Sequence, residues 1–123
     1  MQPLDVILLQ CDPGAAKPLV SALGDSFRAI HQVGSVGEVR ASIAKHRATI
    51  AILDMERATL SDVEGLSREF PAASILCIHR CADEEMWTAA LNAGARDLCA
   101  STDTRGIIQA ALRTMSGTRS AAA

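Results

Sequence analysis

The sequence predicts a doubly wound α/β domain, in which a five-stranded parallel sheet carries helices on both faces. Strand-like and helix-like segments alternate strictly along the 123 residues, and short connections without a repeat or linker join them. The strand-like segments are apolar without a period of two, which is typical of strands that helices cover on both sides. Together these observations favour one domain with a substantial core.

The predicted strands are residues 4–9, 27–33, 48–54, 74–79 and 98–100. The third is an apolar, β-branched run, A-T-I-A-I-L-D, that ends in the carboxylate of Asp54. A run that is apolar on both faces indicates a central strand. Asp54 would then lie at the carboxyl edge of the sheet, where open α/β sheets place their sites. The strand order expected for five such units is the flavodoxin-like 2-1-3-4-5.

Start and stop signals delimit the five predicted helices. Residues 15–23 follow Pro13 and precede Gly24, and a capping-box spacing from Ser35 opens a helix to about residue 46. A second capping-box spacing from Ser61 opens a short helix that ends before residue 71. Acidic residues 83–85 open the fourth helix, which Gly94 ends. Residues 104–115 form the last helix, so we expect a domain over residues 1–115 and a flexible tail over residues 116–123.

Composition excludes several classes of function. The formal net charge is -2 and the basic residues are scattered, so the chain offers no field for a nucleic-acid backbone. No apolar run approaches the length of a membrane span, and no signal peptide is evident, which predicts a cytoplasmic protein without a membrane partner. Gly14 stands alone after the first strand, so neither a dinucleotide fingerprint nor a P-loop is present. We expect no enzymatic activity.

Four stretches carry a resemblance to a known family. They are I-L-L-Q-C-D-P at the first strand, A-I-L-D-M at the third, I-L-C-I-H at the fourth and A-L-N-A-G-A-R-D-L before the fifth. With this spacing, the chain resembles a response-regulator receiver domain of two-component phosphorelay signalling over nearly its whole length. The resemblance implies that Asp54 occupies the position that accepts a phosphoryl group from a histidine kinase.

The resemblance also shows where the phosphorylation pocket departs from the family. The two acids that hold Mg²⁺ align with Gln10 and Cys11, and Asp12 lies one place late. A neutral amide and a soft thiol are poor ligands for this hard ion. The family's Ser/Thr aligns with His79 and its Lys with Ser101. The chain is therefore similar to a degenerate receiver, or pseudo-receiver, with weak or absent phosphorylation.

Only Asp12 and Asp54 remain as residues that could hold Mg²⁺, the one cofactor that the resemblance implies, and they would hold it weakly. The expected partners are a histidine kinase or an output domain or protein. Receivers commonly pair through the face made by the fourth helix, fifth strand and fifth helix, which implies a possible homodimer. That face would include Trp87, Arg96, Asp97 and Leu98. Trp87 could be an anchor for a partner or half-buried packing.

The cysteines leave a second interpretation open. Cys77, His79 and Cys81 form a C-x-H-x-C pattern on one side of an extended strand, and Cys11 could lie nearby. A redox- or metal-responsive module built on these four residues is the alternative function. The spacing lacks the second distant pair of ordinary zinc sites, and cytosolic cysteines are commonly small buried hydrophobes.

Overall fold

The computed structural model of the chain describes residues 2–10 and 12–122, and within them the side chains of residues 4–10 and 12–114. Its five strands are β1 (Gln2–Leu9), β2 (Phe27–Val33), β3 (Ile50–Asp54), β4 (Ser74–His79) and β5 (Asp97–Ala100). Its five helices are α1 (Pro13–Ser26), α2 (Val36–His46), α3 (Leu60–Glu69), α4 (Glu84–Asn92) and α5 (Thr104–Ala122).

The strands form one parallel sheet in the order β2-β1-β3-β4-β5, which confirms the predicted topology. Alternate residues of the central strands enter two separate hydrophobic clusters. Ile7, Ala51 and Cys77 pack towards α2, α3 and α4, whereas the neighbouring residues of the same strands pack towards α1 and α5. Every residue of β3 is buried, as expected for a strand that has helices on both sides.

Helix α1 is longer than predicted. It begins at Pro13, where the missing amide hydrogen costs nothing, and Asp12 caps it by accepting a 2.9 Å hydrogen bond from the Gly14 amide. The helix continues through Pro18 and Gly24 to Ser26. The expectation that Gly24 ends it is wrong, because glycine only permits a stop and packing of Leu19 and Leu23 stabilises the continued helix.

The cap of α2 lies where the sequence places it, since Ser35 Oγ accepts from the Glu38 amide at 3.2 Å. The cap of α3 does not lie at Ser61, where the sequence pattern predicts it. Thr59, two residues before Ser61, accepts from the Asp62 amide, and the Asp62 carboxylate accepts from the Thr59 amide. Both Thr59 and Ser61 are followed three residues later by an acidic residue, so the capping-box spacing alone fits a helix that begins after either of them.

Helix α5 continues to Ala122, past the predicted end at residue 115. The segment after residue 115 contains no proline, which would interrupt the helix. The proposed domain boundary at residue 115 stays a prediction. Among the described helices, none is both long enough and apolar enough to cross a membrane.

Candidate functional site

Asp54 lies at the carboxyl edge of the sheet and is 0% exposed. Its Oδ1 accepts a 2.9 Å hydrogen bond from the Glu56 amide. Its main-chain oxygen accepts from the amides of Arg57 and Ala58, each at 2.9 Å, so the turn after β3 folds back around the carboxylate. These backbone bonds orient the aspartate.

The loop after β3 is also joined to the loop after β4. Glu56, whose amide binds Asp54, accepts a 2.9 Å hydrogen bond on Oε1 from Arg80 Nε, and the same oxygen lies 2.7 Å from Arg80 Nη2 in an ion pair. The pair holds the pKa of Arg80 above its ordinary value, chiefly through the hydrogen bond to Glu56. This ion pair links the two loops beside the Asp54 edge.

Gln10 follows β1 and is the neighbour of Asp54 across the sheet, since Leu9 pairs with Leu53. Its Oε1 accepts from the Asp12 amide at 3.0 Å, and its buried Nε2 has no hydrogen-bond partner in the described part of the chain. Asp12 uses Oδ1 to cap α1. Cys11, which was predicted to lie in this pocket, is outside the described residues.

His79 and Ser101 complete the edge. His79 is the last residue of β4, and its Nδ1 accepts a 2.9 Å hydrogen bond from the Cys81 amide. Ser101 follows β5 and donates its amide to the His79 carbonyl at 3.0 Å. Ser101 is 2% exposed, and its Oγ has no partner among the described groups. The position that the resemblance assigns to a lysine therefore holds a small, neutral, buried side chain.

These residues do not fit a magnesium site. Mg²⁺ needs oxygen ligands with negative charge in octahedral geometry. Among the described residues, the edge offers the buried carboxylate of Asp54, the carboxylate of Glu56 paired with Arg80, the Gln10 amide oxygen bonded to the Asp12 amide, and Asp12, which caps a helix. The prediction of a weak site at Asp12 and Asp54 has no further support from this donor set.

The cysteine alternative also finds no support in the described geometry. Cys77 is fully buried in the core, and burial raises the pKa of its thiol to about 12. Cys81 is exposed in the turn after β4, so the extended stretch ends before it. Among the residues that the structure describes, Cys77, His79 and Cys81 do not form a group at metal-binding distances. The predicted C-x-H-x-C cluster is thus divided between core and surface.

The predicted interaction face contains an exposed aromatic residue. Trp87 on α4 is 43% exposed, and its Nε1 donates a 3.0 Å hydrogen bond to Asp97 Oδ1 at the start of β5. Asp97 Oδ2 accepts from Arg113 of α5 at 3.3 Å. Arg96, the residue before Asp97, is exposed, whereas Leu98 is buried. The sequence pattern alone gives no indication of the link from Trp87 through Asp97 to Arg113.

A groove of about 550 Å³ lies along this face. Trp87, Leu98 and Arg113 are among its lining residues, together with Asp103 and Gly106 at the start of α5. Asp103 Oδ1 accepts from the Gly106 amide at 3.0 Å. The groove therefore joins an aromatic side chain, an apolar floor and charged groups of both signs.

Comparisons with known proteins identify the fold. No family model matches the chain, and no curated protein sequence matches it. A two-component response regulator of the LuxR family from Aurantimonas sp. SI85-9A1 is similar in structure, with a TM-score of 0.82 and 15% identity over 94% of this chain and 87% of that one.

Two further solved structures share somewhat more sequence. The CheY-like protein tadZ from Pseudomonas aeruginosa PAO1 has a TM-score of 0.69 and 24% identity, over 86% of this chain and 97% of its own. A protein described as pilus assembly-related from Burkholderia pseudomallei K96243 has a TM-score of 0.72 and 22% identity, over 89% of this chain and 87% of its own. With its strand order and helix placement, the chain has the fold of response-regulator receiver domains.

Proposed function

We propose that this chain is a receiver-type signalling domain of a two-component system that binds a protein partner without needing phosphorylation. The observation that carries the proposal is the contrast between two parts of one fold. The buried edge retains Asp54 but has Ser101 in place of a cation, while Trp87 is exposed and lines a groove with residues of β5.

The electrostatics of the Asp54 edge oppose phosphoryl transfer. Protein catalysis of this reaction consists mostly of positioning and charge stabilisation. Removal of one such donor typically slows a reaction by about 10²–10³-fold. The side chains of Gln10 and Ser101 are neutral, and His79 uses Nδ1 as an acceptor for the Cys81 amide. No charged side chain replaces the family's lysine at position 101.

The interaction face supports the other half of the proposal. An exposed tryptophan that is held in one orientation loses little side-chain freedom on binding, which favours its use as an anchor. The hydrogen bond to Asp97 holds the indole in this way. The partner would be a histidine kinase, an output domain or protein, or a second copy of this chain.

The first test is the intact mass of the protein after incubation with acetyl phosphate and Mg²⁺, with Asp54→Asn as the control. We expect no phosphoryl adduct in a sample that circular dichroism shows to be folded. An adduct that requires both Mg²⁺ and Asp54 would contradict the proposal and restore an ordinary phosphorylation switch.

The second test measures association. Sedimentation velocity of the wild type and Asp54→Asn, with and without acetyl phosphate, should give the same degree of self-association. A dimer that appears only in the treated wild type would make the interaction dependent on phosphorylation, contrary to the proposal.

A further inference from the structure

A cluster of one carboxylate and two imidazoles lies away from the Asp54 edge. Asp5 of β1, His31 of β2 and His46 at the end of α2 each offer one ligand atom, and these three atoms lie within 4.8 Å of one another. Asp5 precedes Gln10 by five residues, which is about 16 Å along an extended strand. The cluster is therefore separate from the pocket of the proposed function.

The carboxylate of this cluster is held in place by two neighbouring side chains. Asp5 Oδ2 lies 3.1 Å from His31 Nε2, while Oδ1 accepts a 2.9 Å hydrogen bond from Arg28 Nε and lies 2.8 Å from Arg28 Nη2 in an ion pair. Arg28 thus occupies Oδ1 and fixes the carboxylate, which leaves Oδ2 directed at His31.

The two histidines are already side by side. The rings of His31 and His46 are stacked, with centroids 3.7 Å apart and planes 10° from parallel. A neutral imidazole binds a metal ion through one of its ring nitrogens. The ring nitrogens of His46 have no hydrogen-bond partner among the described residues. Both histidines are partly exposed, so an ion can reach them.

We propose that Asp5, His31 and His46 form a binding site for a divalent transition-metal ion such as Zn²⁺. Two imidazole nitrogens and one carboxylate oxygen match the three protein ligands of open zinc sites, with water in the fourth position. Imidazole ligands select against Mg²⁺ and Ca²⁺. The ion would lie between His31 and Asp5 and replace their direct contact, with the His31 proton on Nδ1. The two rings would rotate out of their stack, because each ring must direct a nitrogen lone pair at the metal.

Such an ion would join three elements that the chain brings together from far apart. The ligands come from the inner strand β1, the edge strand β2 and the end of α2. Binding to the folded state alone would raise the melting temperature by mass action. The site would therefore couple the stability of the β2 side of the domain to the concentration of free metal.

Isothermal titration of the full chain with Zn²⁺ tests this proposal, with His46→Gln as the main variant because His46 lies at a helix end. We expect one equivalent to bind to the wild type, and His46→Gln to weaken binding by about 10-fold or more. His79→Gln is the matched control, since His79 is the one other histidine in the sequence. It should leave the affinity unchanged, and excess Mg²⁺ should not compete.

Cobalt spectroscopy provides a readout that does not depend on the variants. Co²⁺ bound to imidazoles and a carboxylate should give ligand-field bands without a thiolate-to-metal charge-transfer band. The proposal fails if the wild type binds no Zn²⁺, if His46→Gln binds it as tightly as the wild type, or if the charge-transfer band shows that cysteines hold the ion. None of these outcomes bears on phosphorylation of Asp54 or on the face around Trp87.

Discussion

The indole Nε1 of Trp87 donates a 3.0 Å hydrogen bond to Asp97 Oδ1, which fixes an exposed aromatic ring of α4 against the first residue of β5. The same carboxylate binds Arg113 of α5 through its other oxygen. One aspartate therefore orients side chains from both helices of the face. This arrangement leads to the first prediction.

Trp87→Ala should weaken self-association or partner binding by about 30-fold or more, because a tryptophan that acts as an interface hot spot contributes about 2 kcal/mol or more. Sedimentation velocity or titration with the partner measures the effect. Leu60→Ala is the matched control, since Leu60 is 42% exposed but lies on α3. An equal loss in both variants would show that general surface hydrophobicity, and not this face, drives association.

The second prediction distinguishes the two possible caps of α3. Thr59→Ala removes the acceptor of the Asp62 amide and should lower the free energy of unfolding by about 1 kcal/mol. Ser61→Ala, two residues later on an exposed position, should change it by less than about 0.5 kcal/mol. Urea denaturation of both variants measures the difference. The reverse order would mean that the helix starts at Ser61 in solution.

The third prediction concerns the buried hydroxyl of Ser101. Because Ser101 Oγ has no partner among the described residues, its burial is not compensated by a hydrogen bond. Ser101→Ala should therefore leave the free energy of unfolding unchanged or raise it by up to about 1 kcal/mol, in contrast to Thr59→Ala. A loss greater than about 1 kcal/mol in urea denaturation would show that an ordered water or another group satisfies the hydroxyl.

The fourth prediction concerns thiol reactivity. Burial raises the pKa of Cys77 to about 12 and that of Cys99 to about 11, so both remain protonated at mildly alkaline pH. Cys81 is exposed. Brief treatment with an alkylating reagent followed by peptide mapping should label Cys81 and leave Cys77 and Cys99 unmodified. Rapid labelling of Cys77 in the folded protein would show that the core opens there.

The same pKa values predict a loss of stability in alkali. The thiol of Cys77 titrates near 9 when exposed and near 12 when folded, so the unfolded state loses its proton first. The buried thiol of Cys77 therefore contributes fully to the free energy of unfolding below pH 9, and this contribution falls as the pH rises towards 12. Cys77→Ala should therefore show a shallower alkaline decline than the wild type in urea denaturation from pH 8 to 11. Equal slopes would contradict the raised pKa.

The sequence by itself determined the strands and their order. Strands covered on both faces need uninterrupted apolar runs, so their positions could be read from local composition, and alternation with helices limits the topology to few choices. The location of Asp54 followed, because the carboxyl end of a central strand is a local property of the chain. The helix ends were less certain, as Thr59 and the extended α1 and α5 show.

Only the tertiary structure decided which distant side chains meet. The C-x-H-x-C pattern suggested one cluster, but the strand ends at His79, so Cys77 lies in the core and Cys81 at the surface. Asp5, His31 and His46 show no common pattern in the sequence and are brought together by the β1–β2 pairing and by the end of α2. Local periodicity reports which face of an element is buried. Contacts between elements depend on register, helix length and side-chain orientation, which arise only when the whole domain packs.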